Sequence, residues 1–336
     1  MATIFEYIDL KHKQKSKKDA IVEGLLDAIE GNAISKGAPL PSVNKMIQTL
    51  GVARMTVVKA LNELKERGVI VSEDKVGYFV NDINVTRKMK VLLFLTSFAS
   101  YHENLYNHII EDINDSNITI DLYFHHCNPQ IVKSVLNENF GNYGMYIISV
   151  FESPLLKIIL SRIPSRKLLQ IIRPPLFENV SSIHQDFTLG LKTSLNNIKS
   201  NMLKYDRFIL IFSEKYGHPQ AIRTSFIEFC AINNINSQIE NKISSELLVK
   251  GTAFWVIEDN DLIALIKMGE DIGLQIGNEI GILSYNDTPV KEYIRNGITS
   301  VSVDFAKMGQ SISKYIKNPV YTHEVFVPEL IIRNSF

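Results

Sequence analysis

Cysteine is scarce in this chain: Cys127 and Cys230 are the only two in 336 residues. So low a count, without close spacing, argues against a disulfide framework and against a zinc site, and it fits a reducing compartment. Long apolar runs are missing too. The strongest, such as Val91–Leu95, are strand-sized and far too short to span a membrane. The first residues, with Lys11, Lys13, Lys15, Lys17 and Lys18, lack the apolar stretch of a secretory signal, so the expected location is the cytoplasm, with no membrane partner. There is no internal repeat or low-complexity segment. No glycine-rich phosphate loop, nucleophile elbow or catalytic triad is visible, so no enzyme is expected and no cofactor is implied. Net charge is absent overall but unevenly divided. Residues 1–90 hold 15 Lys/Arg against 11 Asp/Glu, which leaves 21 against 25 for the other 246. A basic head on an acidic body fits an anion-binding module joined to something that does not bind polyanions. Length allows two or three domains, and 45% hydrophobic with 21% charged residues is ordinary for a globular chain.

The organised stretch of the head runs from Pro39 to Val80. Ser42 can cap a short helix whose Val43, Met46, Ile47 and Leu50 share one face. Gly51 stops it, and a second helix from about Arg54 to Arg67 buries Val57, Leu61 and Leu64 before Gly68. Val69–Val71 and Tyr78–Val80 read as strands around a turn, which makes a winged helix-turn-helix. On the second helix Arg54, Thr56 and Lys59 form a DNA-facing end. Arg54 can fork onto guanine, Thr56 suits a thymine methyl or a phosphate, and Lys59 suits a phosphate. Ser42 and Asn44 on the first helix and Lys75, Gly77 and Tyr78 on the wing complete the expected DNA-binding set.

These residues resemble the GntR family of bacterial transcription regulators. Leu40-Pro41-Ser42, Val52, Arg54, Thr56-Val57, Ala60-Leu61, Leu64, Gly68 and Gly77-Tyr78-Phe79-Val80 carry the likeness over about the first quarter of the chain. Two departures stand out: Ala53 replaces a capping Ser, and Val43-Asn44 replaces Glu-Arg. The resemblance implies double-stranded operator DNA as partner and a homodimer, because one short helix reads too few base pairs.

Ahead of this motif, Val22, Leu25, Leu26 and Ile29 give the first helix, preceded by an apolar patch at Ile4-Phe5-Tyr7-Ile8. The expected division is residues 1–80 as the DNA-binding domain, 81–90 as a polar linker and 91–336 as an effector-binding domain. In the last, short buried strands alternate with amphipathic helices in two series, one starting at Val91 and one near His184. That pattern predicts two α/β lobes with parallel sheets. Ligands of such sheets bind beyond the carboxyl ends of the strands. Tyr101, His102, Glu152 and Arg173 stand there in the first lobe. In the second, Glu214-Lys215-Tyr216, Glu258-Asp259-Asn260 and Tyr285-Asn286-Asp287 hold equivalent places. Carboxylates, amides and arginine beside aromatic rings suit a small hydroxyl-rich ligand. His125 and Cys127 could share a metal only with a third ligand that has no evident source, so a structural His125 and no metal are expected. Trp255 reads as core.

From Asp186 and Gly190 through Arg207–Leu210, Arg223-x-x-Phe226, Asn260-Asp261, Ile280–Asp287 and Ile298–Gly309, the order of segments resembles the sugar-sensing domain of LacI-type repressors, itself similar to periplasmic binding proteins. Carried over by position, the resemblance implies that Arg223 clamps ring hydroxyls, Asn260 and Asp287 give amide and carboxylate contacts, and Phe305 stacks on the ring. Asn286 stands where an acid is usual. The function expected is a regulator, in the manner of a repressor of carbohydrate catabolism, whose DNA affinity follows a monosaccharide bound between the lobes. Analogy with the family favours a pentose or deoxyhexose such as arabinose or fucose. An organic acid or sugar phosphate stays open as effector because of Arg173 and Arg223. A pyridoxal-phosphate enzyme fusion is the remoter alternative, since neither a large enough body nor a Schiff-base lysine is evident.

Overall fold

The structure, a computed structural model, describes residues 4–10, 16–31, 33–66, 68–73, 76–81, 89–113, 118–139 and 143–336. Lys75, the basic run at Lys11, Lys13 and Lys15, and most of the expected linker (82–88) lie outside the described residues. The chain divides into Met1–Lys88 and Met89–Phe336.

In the first unit, α1 (Lys17–Glu30) begins at Ser16, whose Oγ accepts the Asp19 N–H at 3.1 Å. Ile8, from the segment preceding α1, packs against Gly24, where an added Cβ would come within 2.6 Å of the Ile8 side chain. Ser42 caps α2 (Val43–Leu50), accepting the Lys45 N–H at 3.3 Å, and Gly51 ends it in the left-handed conformation that glycine adopts without a Cβ clash. α3 (Arg54–Glu66) follows, with Val57, Leu61 and Leu64 wholly buried against α1 and α2. Each such side chain contributes roughly 1.5–3 kcal/mol by leaving water. β1 (Ile70–Glu73) and β2 (Gly77–Val80) pair antiparallel, with Ile70 opposite Val80. The three helices and hairpin form the expected winged helix-turn-helix.

The second unit starts with β3 (Met89–Leu95), α4 (Ser100–Ile113), β4 (Ile118–Phe124), α5 (Pro129–Asn139), β5 (Met145–Ser149), α6 (Pro154–Leu160), β6 (Leu168–Ile172) and β7 (Ser182–Gln185). The chain then crosses to a second lobe: α7 (Leu189–Asn197), α8 (Lys199–Met202), β8 (Arg207–Ile211), α9 (Gln220–Ile232), β9 (Ser237–Glu240), β10 (Thr252–Val256), α10 (Asp259–Asp271), β11 (Ile280–Tyr285), α11 (Pro289–Tyr293) and β12 (Thr299–Ser302). It returns with α12 (Phe305–Lys317) and β13 (His323–Phe326), then crosses a third time to β14 (Glu329–Ile331). The first sheet, ordered β13-β7-β6-β5-β3-β4, is parallel throughout. The second, β14-β12-β11-β10-β8-β9, is parallel except for its edge strand β14.

Parallel strands covered on both faces must be apolar on both, and β5, β6 and β10 are buried at every position. α12 belongs to the first lobe: Met308 and Ile312 pack with Leu105 and Ile109 of α4. The two helices approach so closely that a Cβ on Gly309 would lie 2.6 Å from the Leu105 carbonyl. Four strands, β7, β9, β13 and β14, were not expected from sequence. α7 begins at Leu189 rather than at Asp186, because Asp186 turns its carboxylate onto the N–H groups of Thr188 (2.8 Å) and Gly190 (2.9 Å). Among the described residues no helix is long and apolar enough to cross a membrane.

Candidate functional site

Two regions gather chemistry, one in each unit. In the first, the start of α3 presents Arg54, Met55 and Lys59 to solvent, while Thr56 is half-buried. Arg54 Nη1 donates to Asn44 Oδ1 at 3.4 Å, so the first helix supports the guanidinium of the second. Ser42 spends its oxygen on the cap and keeps its O–H free to donate. Gly77 is exposed at the wing with φ 145°, and Tyr78 is half-buried beside it. Met55 was not singled out by sequence; its exposure on the face shared with Arg54 and Lys59 is what marks it.

In the second unit, the ends of the strands of both lobes enclose a cavity of about 650 Å3. Phe151, Glu152 and Arg173 line it from the first lobe, Phe187 from a crossover, and Gly217, His218 and Pro219 from the second lobe. Arg173 follows a strained residue, Ile172 at φ 72°, and precedes two prolines, so its backbone is stiff. Its Nη2 donates across the cleft to the Gly217 carbonyl at 2.7 Å and lies 3.8 Å from Cys127 Sγ.

Burial, reinforced by the charge of Arg173, pushes the imidazole of His218 down to about 4. At neutral pH its 3.3 Å contact with Glu258 is therefore a hydrogen bond from a neutral ring rather than an ion pair. Burial, then Asp259 and Asp261, raise the Glu258 carboxyl above the usual range. His102 is likewise pushed down to about 4 by burial; its Nδ1 donates to the Ser97 carbonyl at 2.8 Å, and its buried Nε2 has no partner. Asn286 Oδ1 and Trp255 Nε1 are also buried without partners. Tyr285 donates to Gln185 at 3.2 Å, and burial raises its hydroxyl pKa.

Lys291 fixes the end of β11. Its ammonium, almost wholly buried, donates to Asn286 O (2.6 Å), Ser284 Oγ (2.9 Å) and Tyr285 O (3.2 Å) and pairs with Asp259 at 2.9 Å. It thereby holds Asn286 in a left-handed conformation, φ 58°.

Residues 17–80 match the model of bacterial regulatory proteins of the gntR family, and residues 203–336 that of a periplasmic binding protein-like domain. The chain joins a GntR-family head to a periplasmic-binding-protein-like body. Solved structures share the body's fold at low identity. The trehalose repressor from Escherichia coli is 13% identical with a TM-score of 0.60, over 73% of this chain and 100% of that one. A LacI family regulator from Lactobacillus casei with bound glucose is 12% identical with a TM-score of 0.62, over 74% and 99%. A periplasmic binding protein/LacI regulator from Alkaliphilus metalliredigens QYMF complexed with D-xylulofuranose is 13% identical with a TM-score of 0.60, over 73% and 98%.

Within this body the expected ligand residues divide into groups. Glu152 and Arg173 line the 650 Å3 cavity together. The rings of Tyr101 and His102 lie 4.2 Å apart and tilted at 46° at the start of α4, and Tyr101 lies 5.0 Å from the ring of Phe305. That contact leaves the Phe305 ring buried rather than presented as an open stacking face. Asp287 is held by both arms of Arg333, at 2.7 and 2.8 Å. With Phe305 it borders a separate polar cavity of about 580 Å3.

Arg223 and Asn260 are exposed and line neither cavity. On α9 it is Ile222, Ser225 and Phe226 that face inward, and a one-residue step turns Arg223 away. On α10 Glu258 takes the N-cap position at the end of the strand and Asn260 falls on the outer surface. His218 escaped the sequence reading, although Gly217 in a left-handed turn just past β8 was a strand-end signal for it. His125 is tied at both nitrogens, to the Ser149 carbonyl at 2.8 Å and the Cys127 N–H at 3.1 Å, which fits a structural ring.

Proposed function

We propose that this protein is a carbohydrate-responsive transcription regulator. In this reading it binds operator DNA as a homodimer through α3 and the wing, and it acts as a repressor released when a sugar-sized effector occupies the cleft between the lobes. The observation that carries the reading is the joining of a GntR-type head to a two-lobed body with a 650 Å3 cavity at its strand ends. That volume lies within the roughly 300–1,000 Å3 typical of small-molecule sites. Structures of the same fold hold glucose, sucrose and D-xylulofuranose, which supports a carbohydrate as effector. Binding can change DNA affinity only through unequal affinity for two arrangements of the lobes.

The test begins with selection of bound sequences from random duplex DNA by the full-length protein. Arg54→Gln is expected to cost about 1–3 kcal/mol and to relax preference at one base pair per half-site, whereas Lys59→Ala weakens all sequences alike. Failure to enrich any sequence would sink the DNA-reading role. A thermal-shift panel of sugars then seeks stabilisation that follows the logarithm of ligand concentration.

A further inference from the structure

We propose that the effector carries an acidic group, a carboxylate or a phosphate, and that Arg173 is the residue that reads it. This rests on the preceding reading that a carbohydrate occupies the cleft, and it narrows the class to acidic sugars. Among the described residues Arg173 is the one Lys or Arg lining the 650 Å3 cavity, and no carboxylate lies within 4 Å of it. Its Nη2 is engaged by Gly217 O and touches Cys127 Sγ, while Nε and Nη1 have no protein partner. The contrast with Arg333 is instructive: there both arms of the fork are neutralised by Asp287 at 2.7 and 2.8 Å.

The groups around Arg173 do not balance its charge. His102, His125 and His218 are all pushed down to about 4, by burial first, and stay neutral. Glu258 has an oxygen occupied by His218, and burial raises its carboxyl above the usual range. Glu152 shares the cavity but is exposed to solvent. The rest of the wall is largely apolar, with Phe151, Leu176 and Phe187. A half-buried guanidinium in such a setting gains most from a planar or tetrahedral oxyanion that accepts two of its N–H groups at once. A neutral hydroxyl accepts one bond and leaves the charge unbalanced.

The experiment uses full-length protein and matched probes. Glucuronate, galacturonate and gluconate, together with hexose 6-phosphates, are each compared with the neutral parent sugar by calorimetry and thermal shift, at low and high salt. Acetate and inorganic phosphate serve as anions without a sugar. The expected result is an acid bound about 10- to 100-fold more tightly than its parent, the worth of a charge-assisted pair, and weakened by salt. The uronate and phosphate arms separate the two sources of charge. Arg173→Gln should abolish the preference while leaving weak binding of the neutral sugar, and Arg173→Lys should keep part of it. A neutral sugar bound as tightly as its acid would overturn the proposal, and so would an acid preference unchanged in Arg173→Gln. The wild-type comparison stands even where a variant folds poorly. If no carbohydrate of either kind shifts unfolding, the carbohydrate reading itself fails, and this inference with it.

Discussion

Lys291→Met removes a buried ammonium while keeping most of the volume of the side chain. In the native protein that ammonium serves four acceptors at 2.6 to 3.2 Å, three of them in Ser284, Tyr285 and Asn286. Asp259 is about half exposed, so its share is screened by water and counts for little. The carbonyls of Tyr285 and Asn286 lie inside, and each loses a charged donor, at about 1–3 kcal/mol apiece. The sum, roughly 3–5 kcal/mol, is the size expected for breaking a buried charged contact from one side. For a unit of this length it lowers the melting temperature by on the order of 10 °C. Urea unfolding followed by the fluorescence of Trp255, the only tryptophan and wholly buried in the same lobe, reads the effect directly. Lys250→Met is the control: its pair with Glu279 is also 2.9 Å long, but the lysine is exposed, and a loss below about 1 kcal/mol is expected. Equal, small losses from both variants would refute the view that burial rather than distance sets the worth of these contacts.

Other outcomes follow from the same packing. The folded pKa of about 4 for His102, His125 and His218 lies below the unfolded value near 6.5, so the unfolded chain binds more protons between them. Their contribution is fully present above about pH 6.5 and is lost as pH falls through 4, at roughly 3–4 kcal/mol per unit near pH 5; Glu258 and Asp261, raised by burial, act in the opposite sense. Urea midpoints that stay flat between pH 6.5 and 5 would contradict this. Gly309→Ala forces α4 and α12 apart at the Leu105 carbonyl and should cost about 1–3 kcal/mol, measured by circular dichroism on heating. No loss there would mean the helices slide freely.

The head was almost wholly legible in the sequence because its signals are local. Ser42, Gly51 and Gly68 mark helix ends through their own backbone preferences, and Val57, Leu61 and Leu64 mark a buried face by spacing alone. In the body, strands with a continuous apolar run, such as Val91–Leu95, were also legible. β7, β9, β13 and β14 were not; they are short, and His323–Phe326 pairs with Ser182–Gln185, about 140 residues earlier in the chain. The cleft was legible to the level of the strand end and no finer. Arg173 follows a strand directly, so its place was fixed once β6 was known. Arg223 and Asn260 sit on helices, where a shift of one position swings a side chain by about 100° and decides between the protein interior and solvent. Glu258 and Ile222 hold the inward positions instead.

The three crossovers between the lobes are each anchored by local hydrogen bonds. At the first, Asp186 binds the N–H groups of Thr188 and Gly190; burial opposes it, but these bonds keep its carboxyl below the usual range. At the second, Asp304 caps α12 through the Lys307 N–H at 2.9 Å, and its carboxyl is lowered in the same way. At the third, the Pro328 carbonyl accepts from Ser194 Oγ at 2.6 Å. Each crossing is therefore tied down within a residue or two of where it joins a lobe. Between these anchors lie Phe187, Val303 and Val327, about which a rotation of one lobe on the other would turn. Of these Phe187 also lines the 650 Å3 cavity. Its ring packs 6.4 Å from that of Tyr285, so one aromatic side chain on the crossover touches both the cleft and the second lobe's core.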